Sequence, residues 1–506
     1  MQIKIGKLLV LNVLQELNEI LIFYIMSFNW NRINNSSNFR QYTNYAILLI
    51  LLLIAFSLRL YHIYFQSLWN DELSSIMRSD FNKLSLIIKD WDEYGHPPGL
   101  YFFYYFWIKL FSNEELSIRI PSLIAGVLSV LFIYLLAKKI YSQKEGIISA
   151  AFTAILWCPI YFSQEARQYS LLILFSIIIS HLLIIIIHRL LDDNFSNLIY
   201  YILYIFSSIF LTYLHYFGLL LVAIQFCFMM LIFLFKKRKN IHILILYSII
   251  FIAYIPWLST LIFYSNYDAV PHITKPSPID AVYFFEFLFN WSEPLTKVVF
   301  FLYVYFFIST IYYIIKNKIY KNYVEFITQP EVILGLWLFI PFIIVYIRSI
   351  ISTPILTYRS LLISLPPAYI LLSRSLIKLP FNIKINYLLI CTLIALFAYD
   401  LFYNLDYYNK PTKDQFRESV KYIIDNNSKY PDNQILGYAW NLQYFNFYFN
   451  HFHSDLKITD GVGLKQDTII LNNLIKSKSS KFIWYIYIHR YPDNEIFKHF
   501  ENNFKL

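Results

Sequence analysis

From its first quarter onward the chain alternates apolar runs with short polar breaks. Each run is close to the length at which a helix crosses the hydrocarbon of a bilayer, about 20 residues. The first run is 45–63, and others follow at about 117–137, 146–161, 170–190, 198–214, 217–235, 242–263, 297–315, 332–348, 358–376 and 385–403. This pattern predicts an all-α polytopic membrane protein with about eleven transmembrane helices. Residues 64–116 read as a long loop that stays near the bilayer. Leu84, Ile87, Ile88 and Trp91 recur on one helical face opposite Asn82, Lys83, Lys89 and Asp90, the pattern of an interfacial helix. His96-Pro97-Pro98 then breaks the chain, and the aromatic stretch 99–111 is too short to span, so it is expected to form a re-entrant or tilted helix. In the tail the period changes: Phe416, Val420, Ile423 and Ile424 mark a helix, and 434–439 and 481–489 are strand-like. The expected domains are therefore an N-terminal cytoplasmic lead (1–44), a transmembrane domain (45–403, with 64–116 as its first outer loop) and a small α/β domain (404–506). Within the lead, Asn12, Gln15, Glu16, Asn18 and Glu19 interrupt the apolar stretch 8–25 and no small-residue cleavage site follows, which makes it a poor signal peptide. It reads as a surface helix or as an upstream start before Met26.

Composition agrees: 58% of residues are hydrophobic and 15% charged, with a mean hydropathy of +0.50, which excludes an ordinary soluble domain. The net charge of +10 changes the picture by its distribution. Lys138-Lys139, Arg189, 236–239, 316–321 and 374–378 all fall on one side if 99–111 does not cross, and the positive-inside rule makes that side cytoplasmic. The charge thus reports topology rather than affinity for nucleic acid. The same arrangement puts Asp71-Glu72, His96, the turn 163–167, the loop 265–296, the turn 350–359 and the tail on the extracytoplasmic face. Cys158, Cys227 and Cys391 lie inside apolar runs without paired spacing, so neither disulfides nor cysteine chemistry is expected.

Candidate chemistry gathers at that outer face. Asp71 and Glu72 follow directly on the first apolar run, where ionisable groups are costly and raise a functional reading by default. The competing reading is that Asn70 or Asp71 caps a juxtamembrane helix whose apolar side carries Leu73, Ile76 and Met77. His96, the run Gln164-Glu165-Ala166-Arg167-Gln168-Tyr169, and Thr357-Tyr358-Arg359 are the other clusters. Each also has a structural reading, as a helix-start residue, a local ion pair or an interfacial anchor. Together they describe carboxylates to remove a proton and cations to hold a phosphate.

The ordered set Trp69-x-Asp71-Glu72-x-x-Ser75, His96-Pro97-Pro98-x-x-Tyr101, Arg119-x-Pro121-Ser122 and Ser163-Gln164-Glu165-Ala166-Arg167-x-Tyr169 resembles the bacterial branch of the protein O-mannosyltransferase superfamily. That branch includes the lipid A aminoarabinose and galacturonosyl transferases and shares the C-type glycosyltransferase fold. The resemblance covers roughly 45–190, continues more weakly to about 375 through Tyr358-Arg359 and Pro366-Pro367, and stops before the tail. It implies inverting transfer of a sugar from a polyprenyl phosphate to a lipid, glycan or protein acceptor at the outer face of the cell (inner) membrane. On that reading Asp71 is the general base, while Glu72 and Glu165 orient the acceptor or hold a metal. His96, Arg167 and Arg359 bind the donor phosphate, and Gln164 and Tyr169 complete the donor site. No cofactor is implied beyond a possible divalent ion, for which Asp71 and Glu165 are the candidates. The chain has His96 where the aminoarabinose transferase has a lysine-proline step, and it lacks the lumenal repeat insertion of the eukaryotic enzymes. Two other readings are a lipid-linked oligosaccharide ligase or polymerase, and a lipid or sugar transporter. Transporters place charge near the midplane and often show repeated halves, neither of which is visible here.

Overall fold

A computed structural model describes residues 36–90, 96–192, 197–236, 241–265, 273–430, 432–461, 481–488 and 491–504, together with Ile469, Leu471 and Asn473. Most of the N-terminal lead, Trp91 and parts of the loop 265–296 lie outside the described residues. The chain divides into two compact units, one holding residues up to 61 and 79–406, the other 62–78 and 407–506. The segment after the first span, expected to stay with the transmembrane domain, is thus grouped with the tail as far as Arg78.

The first unit is helical: α1 (Ser36–Leu60), then, after α2 (Asn70–Met77) of the second unit, α3 (Leu84–Asp90), α4 (Gly99–Leu110), α5 (Glu115–Ile140), α6 (Gln143–Ile155), α7 (Trp157–Ser163), α8 (Tyr169–Leu191), α9 (Ile199–Leu214), α10 (Tyr216–Phe235) and α11 (Ile241–Ser265). They are followed by α12 (Asp280–Leu288), α13 (Glu293–Lys316), α14 (Tyr323–Ile327), α15 (Pro330–Ile351), a 3-10 turn Tyr358–Ser364, α16 (Leu365–Ile377) and α17 (Ile383–Tyr399). Among the described residues nine segments are long and apolar enough to cross a membrane; the pair α6–α7, bent by 59°, and the shorter α9 complete the eleven runs read from the sequence. The chain is a multi-pass membrane protein. With only 12 residues, α4 falls short of a span, as expected.

Burial separates a centre from a periphery. The most apolar window of the span Tyr358–Ile377 is 89% buried and that of α8 78%, against 17% for α13. In lipid, helices associate through small residues and buried hydrogen bonds rather than through apolarity. Accordingly Ser149 of α6 meets Ser373 of α16 at 2.9 Å, and the Tyr303 hydroxyl of α13 donates to the Ala368 carbonyl at 2.6 Å. At the basic end of the bundle, Arg374 pairs with Glu145 at 2.7 Å and lies 3.7 Å from Glu331.

The break between α6 and α7 has a local cause. Pro159 has no N–H to return to the preceding turn. Leu156 takes an extended conformation (φ −67°, ψ 145°). The freed groups find new partners. Trp157 N–H donates to the side-chain oxygen of Asn290 at 2.8 Å, and the Arg59 guanidinium donates to the carbonyls of Thr153 (2.8 Å) and Ala154 (3.1 Å).

The second unit carries a parallel three-stranded sheet in the order β2-β1-β3, with β1 (Asn433–Tyr438), β2 (Ile458–Asp460) and β3 (Phe482–Tyr487). Helices α18 (Phe416–Asn426), α19 (Gln443–His451) and α20 (Asn494–Asn503) accompany it, and Leu436, Leu471, Ile496 and Phe500 form its core. This is the small α/β domain expected. The strand β2, only three residues long, has too little alternation to read from the sequence.

Candidate functional site

In the second unit Asp71 and Glu72 occupy the first turn of α2, whose N-cap is Trp69; neither Asn70 nor Asp71 is the cap. The predicted apolar side is present, with Leu73 and Ile76 buried. Glu72 is fully buried, accepts from the Trp69 N–H at 3.4 Å and lies 3.7 Å from the Lys413 ammonium. Its carboxylate therefore closes the start of the helix. Asp71 is half-buried. The strand of chain leading into α2 is held by the tail: Leu68 N–H donates to the Tyr448 hydroxyl at 2.7 Å, Ser67 to the Asp414 carbonyl at 2.9 Å, and Gln66 accepts from the backbone N–H groups of Thr412 and Lys413.

The turn 164–168 of the first unit is buried throughout. Ser122 Oγ donates to the Arg167 carbonyl at 3.3 Å and Ser170 Oγ to the Ser122 carbonyl at 2.8 Å, which clamps the turn to the Arg119-x-Pro121-Ser122 motif of α5. The Gln164 amide donates to the carbonyls of Arg59 (2.9 Å) and Tyr61 (2.8 Å), groups at the end of α1. The last turn of a helix leaves such carbonyls without intrahelical donors, so this amide nitrogen serves the helix end. Beneath the turn, Arg59 also donates to Ser163 Oγ at 3.1 Å and to the Ala55 carbonyl at 3.1 Å.

Above it the cationic residues converge. Tyr169, 3% exposed, opens α8; the Arg359 guanidinium stands over its ring at 5.8 Å, and the ring centroid of His215 is 6.2 Å from it. His96 lies 6.3 Å from His215, centroid to centroid. Its loop reaches there because Gly99 lets the start of α4 abut the end of α9: a Cβ on Gly99 would come within 2.5 Å of the Tyr213 carbonyl oxygen. Arg359 is delivered by the 3-10 turn, which runs directly into α16; Pro366 and Pro367 stand in the first turn of that helix and have no N–H to return α-helical bonds to the carbonyls of the turn before them. Its neighbour Tyr358 is locked by a 2.6 Å hydrogen bond to Asp280. Burial holds the His215 imidazole well below its usual pKa, and His96, Arg167 and Arg359 push it the same way, so all three stand within electrostatic reach of it.

Of the residues predicted from sequence, His96, Arg167, Tyr169 and Arg359 come together in the first unit, with Glu165 buried in the same turn (1% exposed). Asp71 and Glu72 belong to the other unit. Among the described residues no group of three or more His, Cys, Asp or Glu side chains is placed to hold a metal. Sequence reasoning missed His215, Arg59, Asn290 and Gly126. The signal for His215 was a lone polar residue between the runs of α9 and α10, and for Arg59 a guanidinium inside an apolar run.

Residues 95–259 match the family model of dolichyl-phosphate-mannose-protein mannosyltransferase. No curated protein matches the sequence. Among solved structures, the fold is similar to the apo form of the Archaeoglobus fulgidus oligosaccharyltransferase (TM-score 0.54, 12% identity, covering 88% of this chain and 70% of that one). It is also similar to ArnT from Cupriavidus metallidurans in the apo state (TM-score 0.51, 11% identity, 93% and 92%). A third match is the archaeal oligosaccharyltransferase AglB from A. fulgidus in complex with an inhibitory peptide and a dolichol-phosphate (TM-score 0.52, 11% identity, 88% and 69%). In a further A. fulgidus structure, a complex with Zn and sulfate, this chain spans 61% of the matched chain. Bundle, tail domain and motif segment agree on one architecture: the chain has the C-type glycosyltransferase fold, with its sequence resemblance to the dolichyl-phosphate-mannose-protein mannosyltransferases lying in residues 95–259.

Proposed function

We propose that the protein is an inverting membrane glycosyltransferase that moves a sugar from a polyprenyl phosphate to a lipid, glycan or protein acceptor. The observation that carries this reading is the convergence of His96, Arg167 and Arg359 around His215 beside the buried Tyr169. Three basic side chains gathered in one place suit a dianionic phosphate, and guanidinium matches phosphate oxygens two at a time. The presence of dolichol-phosphate in one AglB structure supports a lipid phosphate as the bound group. An apolar cavity of about 320 Å³ between α5, α8, α10 and α15, lined by Leu183, Phe228 and Trp337 among others, offers space for part of a lipid chain.

On this reading Asp71 takes the proton from the acceptor hydroxyl as its oxygen attacks the anomeric carbon. The bond to the phosphate oxygen breaks on the opposite side, and the charge of the leaving polyprenyl phosphate is held by Arg167, Arg359 and His96. Glu165 orients the acceptor or the donor sugar, and Glu72 supports Asp71 by fixing the first turn of α2. The site faces the extracytoplasmic side of the cell membrane, opposite the basic loops.

Purified protein in lipid nanodiscs, given a panel of radiolabelled hexosyl and pentosyl undecaprenyl phosphates, tests the reading. Release of undecaprenyl phosphate with label moved to an acceptor or to water is expected for one donor. Asp71→Asn should lower that turnover by about 100-fold or more, because the amide keeps the shape but cannot accept the proton. Label that crosses the bilayer of proteoliposomes still attached to its lipid would instead make the protein a transporter.

A further inference from the structure

His215 has no place in the reaction as described so far, yet it is the side chain on which the cationic residues converge. It caps α10: its backbone is extended (φ −162°, ψ 145°), and its Nδ1 accepts the Phe217 N–H at 3.1 Å. A ring nitrogen that accepts cannot carry the proton, so this bond assigns the imidazole to the tautomer protonated at Nε2. The ring is 5% exposed and lies against Tyr169 and His96, with the charges of Arg167 and Arg359 close by. We propose that His215 is a neutral binding residue for the lipid-linked phosphate, donating its Nε2–H to a phosphate oxygen in an orientation set by the capping bond at Nδ1. The proposal rests on the reading of this cluster as the donor-phosphate site and adds a residue to it.

The chemistry explains why the donor is neutral. Arg167, buried, and Arg359, half-buried, already bring two permanent charges close to this buried ring, and a third fixed charge beside them would be repelled and poorly solvated. An imidazole held neutral by burial and by those charges adds a hydrogen bond to the phosphate without adding to the repulsion when the site is empty. It also loses no rotamer freedom on binding, since the cap has already fixed the ring.

The two ring nitrogens have separable jobs, which makes the proposal testable against a purely structural role. Asparagine places an acceptor near the position of Nδ1 and is a good N-cap, but it has no donor near Nε2. Glutamine reaches the position of Nε2 with an N–H and gives up the cap. Binding of undecaprenyl phosphate to the full-length protein in nanodiscs, measured alongside the Tm of the unliganded protein, is the experiment. His215→Asn is expected to raise Kd about tenfold with little change in Tm, and His215→Gln to keep Kd within about threefold of the parent while lowering Tm. A His215→Asn protein that binds like the parent overturns the proposal. If that variant does not fold, His215→Gln decides alone: retained affinity sustains the proposal and tenfold weaker binding overturns it. Arg167→Ala and Arg359→Ala, run in parallel, separate the two levels. Weakened binding by these variants with none by His215→Asn rejects the histidine donor only, whereas parent-like binding by all three rejects the phosphate site itself.

Discussion

A guanidinium buried in the last turn of the first span is the residue on which the site platform rests. Arg59 is fully buried and donates to the carbonyls of Ala55, Thr153 and Ala154 and to Ser163 Oγ. Burying the charge costs several kcal/mol, and these neutral acceptors, two of them set free by the broken helix, offset it. Arg59→Ala is expected to destabilise the protein by about 3 kcal/mol or more, since it strands buried acceptors as well as opening a cavity. Arg59→Lys should recover little, because one ammonium cannot reach four acceptors spread around a planar fork. Thermal unfolding in detergent checks both; a Tm for the alanine variant within a few degrees of the parent would show that the bonds are dispensable. The residue also marks where sequence legibility ended. Its position inside the run 45–63 was visible, but three of its four acceptors come from α6 and α7, far later in the chain, and no local pattern announces them.

At the scale of elements, the bend between α6 and α7 and the close approach of α5 are one device. A Cβ on Gly126 of α5 would overlap Ser163 Oγ and come within 2.7 Å of Arg59 Nε, so only glycine lets α5 lie against the Arg59–Ser163 bond. Gly126→Ala therefore sets two effects against each other. The gain in helix propensity is about 1 kcal/mol at most. Overpacking costs about 1–3 kcal/mol, and here it also displaces a buried hydrogen bond. A net loss of stability is expected, with a weaker effect on Gly335→Ala, where the nearest atom to an added Cβ is 3.8 Å away. Comparing the Tm of these two variants checks the argument, because only the first contact is tight. The glycine was legible as a residue but not as a contact: the sequence holds ten glycines, and nothing in its own window distinguishes this one.

For the whole molecule, eleven apolar segments that each cross once put the two ends of the chain on opposite sides of the membrane, and the orientation proposed above makes the tail extracytoplasmic. A fluorescent reporter fused after Leu506 that matures only in the cytoplasm should stay dark, while one inserted after Lys318, in the basic loop following α13, should shine. Bright signal from the first fusion would mean that α4 crosses, or that α6–α7 or α9 does not. The division into two units adds a second whole-molecule consequence. Residues 62–78 supply hydrogen bonds to Tyr448, Asp414, Thr412 and Lys413, so a soluble form of 407–506 should be more stable with 62–78 joined to it than without, as read by its Tm.

The spans, the short length of α4, the α/β character of the tail and the identities of His96, Arg167, Tyr169 and Arg359 as site candidates were all determined by the sequence itself. Their signals are local: a run of apolar residues, a change of period, a charge beside a membrane boundary. Tertiary structure alone decided which of those charges meet. It brought His215 of the α9–α10 joint against His96 and Tyr169, and it turned the Gln164 amide towards the end of α1. It also enlisted Glu72 in the start of α2 and grouped that helix with a tail at the far end of the chain. The physical reason is the same in each case: a buried hydrogen bond or ring contact is specified by two partners, and when those partners are distant in sequence, only the packing of the helices between them determines whether they meet.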